Sequence, residues 1–342
     1  MFPTRSDFSQ AWDTAPALNA SARVALTNEF HLGGIDIMIP LTVSGINGTA
    51  AAVGAGLLDC VRNVRLTVAD GSTPRNVIDA SGCGLIERAA SITGKLDYNT
   101  NAARNTAAGN LPGNGAYIVT IPLSMLCNLY PPFNLATILP LPKYSAKPEL
   151  VVSLAPATDM TTAQGVTIAL TSTPVLVLHR YRVPNGIPFP TFPFEISEKL
   201  ATFSVTGQQI VELDTPGVYT DLTLRNFLAN GTRSTILSGG EARLQRLGVN
   251  LHRWTEATLA LETARNMAVT PFTGVLLKNF IGAPQDGVDS LDGALDANIL
   301  IGTGARVQLI QQIGVASYQK IVSCRIFSDV SALRRYTAVS LV

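Results

Sequence analysis

Charge is what this sequence has least of. Asp, Glu, Lys and Arg make up 14% of its 342 residues, against roughly a quarter in an average soluble domain. A lone globule of this size needs more to wet its surface, and interface cores are the protein surfaces depleted in charge. The shortage points to a subunit whose flanks are buried against other subunits. A secreted β-protein with a Ser-, Thr- and Asn-rich surface is the competing explanation. The signs are nearly balanced, 25 basic against 24 acidic residues, and no run of like charge occurs. The chain is therefore a poor candidate for holding nucleic acid through its phosphates.

Cysteine is scarce too. Cys60, Cys83, Cys127 and Cys324 form no C-x-x-C pair and have no histidine at ligand spacing, which argues against a zinc site. Four are too few for a disulfide scaffold; buried free thiols are expected, with one bridge left open. Long apolar runs are missing. Stretches 50–58 and 135–141 fall well short of the ~20 residues that span a bilayer. The opening MFPTRSDFSQAWD is unlike a secretory signal. Synthesis and assembly in the cytosol of the producing cell are expected.

Catalytic signatures are equally thin. The three histidines, His31, His179 and His252, are far apart, and no G-x-S-x-G accompanies them. No P-loop, H-E-x-x-H or EF-hand pattern occurs. Gly82-Cys83-Gly84 reads as a short glycine-rich turn without the Lys-Ser/Thr of a phosphate cradle. Carboxylate pairs such as Glu256 with Glu262, or Asp286 with Asp289, could in principle serve glycoside hydrolysis. Only two tryptophans, Trp12 and Trp254, and 6% aromatics leave few platforms for sugar. No catalytic, cofactor-binding or metal-ligating residue is nominated.

What is abundant is turn residues: 28 Gly and 20 Pro cut the chain into short apolar pieces, the pattern of an all-β protein. Ile35, Ile37, Ile39, Leu41 and Val43 alternate as in a strand with one buried face. Val61, Val64, Leu66 and Val68 lead into an Asp70-Gly71 turn. Further strands are expected over 117–123, 150–154, 166–181, 218–224, 244–251, 274–280, 298–301, 307–313 and 321–328. Helices are expected over 85–92 and 255–266. Residues 97–115 and 282–296 read as long exposed loops.

The two halves superpose at an offset of 183 residues. Asn47-Gly48-Thr49 falls on Asn230-Gly231-Thr232; Ile35, Ile39 and Leu41 fall on Val218, Leu222 and Leu224. Val61, Val64, Leu66 and Val68 fall on Leu244, Leu247, Val249 and Leu251. One offset serving three separated blocks implies structural duplication. The expected organisation is an N-terminal arm (1–29), a first β-sandwich (30–183), a proline-rich linker (184–199) and a second β-sandwich (200–342).

Two sandwich halves, a proline-rich connection and a helix after the early strands of each half occur together in one family. Through LDCVRNVRLTVADG with GLIERAASI, and EARLQRLGVNLHRW with TLALETARNMA, the chain resembles the double jelly-roll major capsid proteins of tailless icosahedral viruses. That lineage includes tectiviruses, membrane-containing phages and the adenovirus hexon. The resemblance implies two eight-stranded jelly rolls, pseudo-hexagonal homotrimers and tiling of an icosahedral virion shell assembled in the host cytoplasm. It implies self-contacts, penton and minor capsid proteins as partners, and an arm directed at an internal viral membrane. No cofactor, enzyme activity or specific nucleic-acid binding is implied. The alternatives are a secreted β-sandwich carbohydrate-binding protein or glycosidase, and a non-lattice spike or tail component.

Overall fold

The computed structural model describes residues 4–71, 73–124, 138–182, 194–214, 217–239, 241–266, 272–279, 300–301 and 307–326. They form two compact units, one built from residues 4–89, 96–124 and 138–182, the other from residues 90–95 and from Phe194 to Ile326.

The first unit contains β1 (Thr4–Gln10), β2 (Ser21–Ala25), β3 (His31–Ser44), β4 (Val61–Asp70), β5 (Thr73–Ala80), β6 (Gly115–Ser124), β7 (Leu139–Pro140), β8 (Glu149–Leu154), β9 (Thr167–Leu170) and β10 (Val175–Arg182). One sheet runs β1-β10-β3-β6, with β7 and β9 added along β3; the other runs β5-β4-β8-β2. With β7 and β9 set aside, the main strands are ordered first-eighth-third-sixth and fifth-fourth-seventh-second. That is the Greek-key winding of a jelly roll.

The second unit contains β11 (Phe194–Phe203), β12 (Gly207–Leu213), β13 (Gly217–Leu228), β14 (Glu241–Arg246), β15 (Val249–Thr255), β16 (Val275–Asn279), β17 (Leu300–Ile301), β18 (Val307–Ile313) and β19 (Ser317–Ile326). Its sheets run β16-β13-β19-β11 and β12-β18-β14-β15. With β17 set aside, this is the same winding. The all-β, double jelly-roll expectation holds, and the duplication is one of topology.

Alternation builds each core. In β3 the alternate residues Ile35, Ile37, Ile39, Leu41 and Val43 are at most 1% exposed, and full burial of each contributes about 1.5–3 kcal/mol. Ile37 lies opposite Ile121 of β6 and Leu176 of β10, while Val64 and Leu66 of β4 face Val152 and Leu150 of β8. In the second roll Leu222, Leu224, Leu244, Trp254, Leu309 and Ile321 share one core.

Three expectations are corrected. Residues 1–29 were expected as an arm, but Thr4–Gln10 and Ser21–Ala25 are the first two strands of the first roll. Their alternation is short and interrupted by 11–20, so the signal is weak. The first roll therefore begins at Thr4 and not at 30, and the second begins at Phe194, inside the expected 184–199 linker. Linker residues 184–193 lie outside the described residues. The offset also fails after Leu244. Residues 244–251 span the end of β14, a tight turn and the start of β15. Leu247 sits at that turn, 82% exposed at φ +48°, and is no counterpart of buried Val64. The matching spacing was two strands read as one. The Asn-Gly-Thr correspondence does hold: both tripeptides follow the third strand of their roll, with Gly48 and Gly231 at φ +91° and +84°.

Three helices follow the fifth main strand of a roll: α1 (Gly82–Thr93) and α2 (Tyr98–Ala102) in the first, α3 (Glu256–Asn266) in the second. The Ser81 hydroxyl caps α1 by accepting from Gly84 N–H at 3.2 Å. Gly82-Cys83-Gly84 is thus the first turn of a helix and not a loop. Residues 97–115 were expected as an exposed loop, yet they contain α2 and a fastened return. Asp97 caps α2 through Asn99 and Thr100 N–H (2.9 and 3.1 Å), and Leu111 N–H donates to Ala50 O at 2.8 Å.

Candidate assembly surfaces

Among the residues singled out for possible chemistry, His179 and Glu262 are paired with side chains of neighbouring strands. His179 of β10 lies between two neighbouring strands: Nδ1 is 2.8 Å from Asp7 Oδ1 of β1, and Nε2 is 2.9 Å from Asp36 Oδ2 of β3. The side chain is 16% exposed. It ties β1 to the centre of its sheet. His31 and His252 sit in different rolls, half-buried. Burial is the main cause that lowers both below the usual histidine range, helped by Lys143 and Lys278 respectively.

Cys60, Cys83 and Cys324 are buried free thiols; burial pushes the Cys60 thiol well above the ordinary range. Cys127 lies outside the described residues. Glu262 meets Lys278 at 3.0 Å through each oxygen. Glu256, at the start of α3, is raised above the usual carboxylate range by burial. Asp286 and Asp289 lie outside the described residues. Among the described residues no group of three His, Cys, Asp or Glu side chains could hold a metal ion.

Sequence reading missed the buried polar groups of the second roll. Gln311 of β18 and Gln319 of β19 exchange amide bonds (2.9 and 3.1 Å), and Gln319 Nε2 also donates to Asn226 Oδ1 of β13 at 2.8 Å. All three are at most 1% exposed. Alternation does give the signal: Gln311 stands between Leu309 and Ile313, at an inward position. Two arginines are also buried. Arg225 is wholly buried and donates to Glu198 Oε2 of β11 at 3.1 Å; Arg325 of β19, 3% exposed, pairs with Glu195. Phe227 and Tyr318, cross-strand neighbours, stack at 4.8 Å with Arg233 above the Phe227 ring at 5.2 Å.

Exposed apolar side chains belong to docking more than to chemistry. Leu200, Val205 and Ile210, 61%, 60% and 53% exposed, fall within eleven residues at the β11–β12 corner. Among the described residues of the second roll, Leu247 and Leu261, 82% and 70% exposed, are the others above that level. Among the described residues of the first roll only Tyr98 reaches it.

No protein-family model matches the chain, and no curated protein does. Solved structures do. A chain from the atomic structure of Sulfolobus Turreted Icosahedral Virus aligns over 98% of this chain and 97% of its own, with TM-score 0.68 at 14% identity. The major capsid protein of bacteriophage PM2 aligns over 95% and 98%, with TM-score 0.54 at 13% identity. A chain of the PBCV-1 virus capsid aligns over 95% and 94%, with TM-score 0.58 at 11% identity. The chain has the fold of double jelly-roll capsid proteins over nearly its whole length.

Proposed function

We propose that this chain is a major capsid protein, three copies of which form a pseudo-hexagonal tile of an icosahedral virion shell. The observation that carries the reading is the repetition of one eight-strand winding in two consecutive rolls. Solved capsid chains follow the same course over 94% or more of their own length. Three such chains supply six similar rolls, enough to surround one axis. Scarce charge fits a subunit whose flanks are covered by copies of itself. Penton and minor capsid proteins would meet the tile at its margins, and the finished particle would form in the host cytoplasm. A 29-residue arm reaching an internal membrane has lost its basis, because β1 and β2 occupy that stretch.

Sedimentation velocity on purified protein tests the reading. A species of three times 36.2 kDa, joining into curved sheets or closed particles under the electron microscope as concentration rises, is expected. A monomer that persists at high concentration would sink it.

A further inference from the structure

An asparagine followed by glycine is prone to lose its side-chain amide, because glycine has no Cβ to shield its own nitrogen from the preceding side chain. The chain holds four such pairs, beginning at Asn47, Asn114, Asn185 and Asn230; Asn185 lies outside the described residues. The reaction needs two freedoms. The asparagine Cγ must swing onto the glycine nitrogen, and the N–H of that nitrogen must be free to lose its proton. Asn47, Asn114 and Asn230 are all exposed, so hydrogen bonding, not burial, separates them.

Asn114 lacks the first freedom. Its Oδ1 accepts from Ile46 N–H and its Nδ2 donates to Ile46 O, both at 2.9 Å. Gly115 opens β6 and is paired with Val43 of β3; a Cβ on it would stand 3.4 Å from the Tyr117 hydroxyl. Asn230 lacks both. Its Oδ1 accepts from Thr232 N–H at 3.0 Å, and the Gly231 N–H donates to Leu228 O at 2.9 Å. Asn47 has both. Among the described residues neither the Asn47 amide nor the Gly48 N–H has a hydrogen-bond partner. A Cβ on Gly48 would meet nothing within 4 Å. The bonds from Asn114 hold the chain at Ile46, and Asn47 lies just beyond them.

We infer that Asn47 is a site of spontaneous deamidation, and that the fold protects Asn114 and Asn230 from the same reaction. The Gly48 nitrogen gives its proton to solvent base and bonds to Asn47 Cγ. The Cγ–Nδ2 bond breaks, and ammonia leaves with a proton from solvent. Water then opens the five-membered imide at either carbonyl, giving aspartate or isoaspartate. Overall, one side-chain amide and one water become a carboxylate and an ammonium ion. The chain has a formal net charge of +1, so a single event brings it to neutrality. The two Asn-Gly-Thr turns, alike in sequence and in place within their rolls, thus differ in chemical lifetime. The inference does not depend on the capsid reading.

The test ages the purified full-length protein in mildly alkaline buffer made with heavy-oxygen water, with peptide mass mapping at intervals. The oxygen label marks only conversion that occurs during ageing. The Asn47 peptide is expected to convert at least about tenfold faster than those holding Asn114 and Asn230, which must first break one or two hydrogen bonds. In urea the three rates should converge, since the bonds that separate them are gone. A melting scan supplies a second measurement. Asn47→Asp should melt with wild type, whereas Asn114→Asp, which loses its donor to Ile46 O, should melt lower. Equal rates at the three sites in the folded chain overturn the inference. So does an Asn47 that converts in urea but persists in the folded chain, or an Asn47→Asp variant that melts as low as Asn114→Asp.

Discussion

Single positions carry constraints of different kinds. Gly274, at φ +69°, precedes β16 and accepts from Asn226 N–H at 2.8 Å. A Cβ there would stand 2.8 Å from Asn226 O and 2.9 Å from Ser234 O, both backbone atoms that cannot swing aside. Gly274→Ala therefore combines left-handed strain with overlap and should cost on the order of 2 kcal/mol or more, read as a lower urea midpoint at unchanged slope. His179 teaches a different lesson. In sequence it is a lone histidine at a strand end. Only the pairing of β10 with both β1 and β3 brings Asp7, 172 positions away, to its Nδ1.

At the scale of elements, the two rolls diverge where they look most alike. The 183-residue offset sets Val43 of β3 on Asn226 of β13, and both point into a core. The first roll keeps an apolar residue there; the second builds the Asn226–Gln319–Gln311 chain. Gln319→Leu would leave buried amides of both neighbours short of a bond, each costing ~1–3 kcal/mol. The expected loss is about 2 kcal/mol or more by chemical denaturation. Replacing all three together, Asn226→Val, Gln311→Leu and Gln319→Leu, should recover most of it, since no orphaned group remains. Period-two apolar patterning made β3, β4, β6, β8, β10, β13 and β18 legible, as it made α1 and α3 legible by their helical spacing. Strands β1, β2 and β15 escaped because each is short, polar at alternate positions or broken by a turn. Leu247 and Gly248 show why the turn was missed: a leucine at positive φ is not a residue expected at a hairpin tip. Asp97 and Thr100 did spell a capped helix start within 97–115, a local signal outweighed by the surrounding polar composition.

At the scale of the whole molecule, pH acts through groups in both rolls. His31 and His252 are lowered by burial first and by a neighbouring lysine second. The unfolded chain then takes up protons more readily than the folded one as pH falls through about 6.5, the free histidine value. Stability present above that window is lost below it. The part of the melting-temperature change between pH 7 and 5 that these two histidines carry is a fall, read as the difference between the wild-type profile and that of the double variant His31→Gln, His252→Gln. Glu256, raised by burial, acts in the opposite sense and in a more acidic range: its contribution is lost as pH rises. The site-level reading was less legible than the fold. Scarce charge points to covered surfaces without saying which, and the side of α3 that faces the roll is legible only once the Thr263 hydroxyl is seen to accept from Leu277 N–H.

Burial also governs the chemistry of the thiols. Cys60, Cys83 and Cys324 are closed off from solvent, and the Cys60 sulfur stays protonated at any physiological pH. The thiolate is the form that oxidants and disulfides attack. In the capsid reading proposed above, burial shields these three sulfurs from oxidants whichever medium the particle meets.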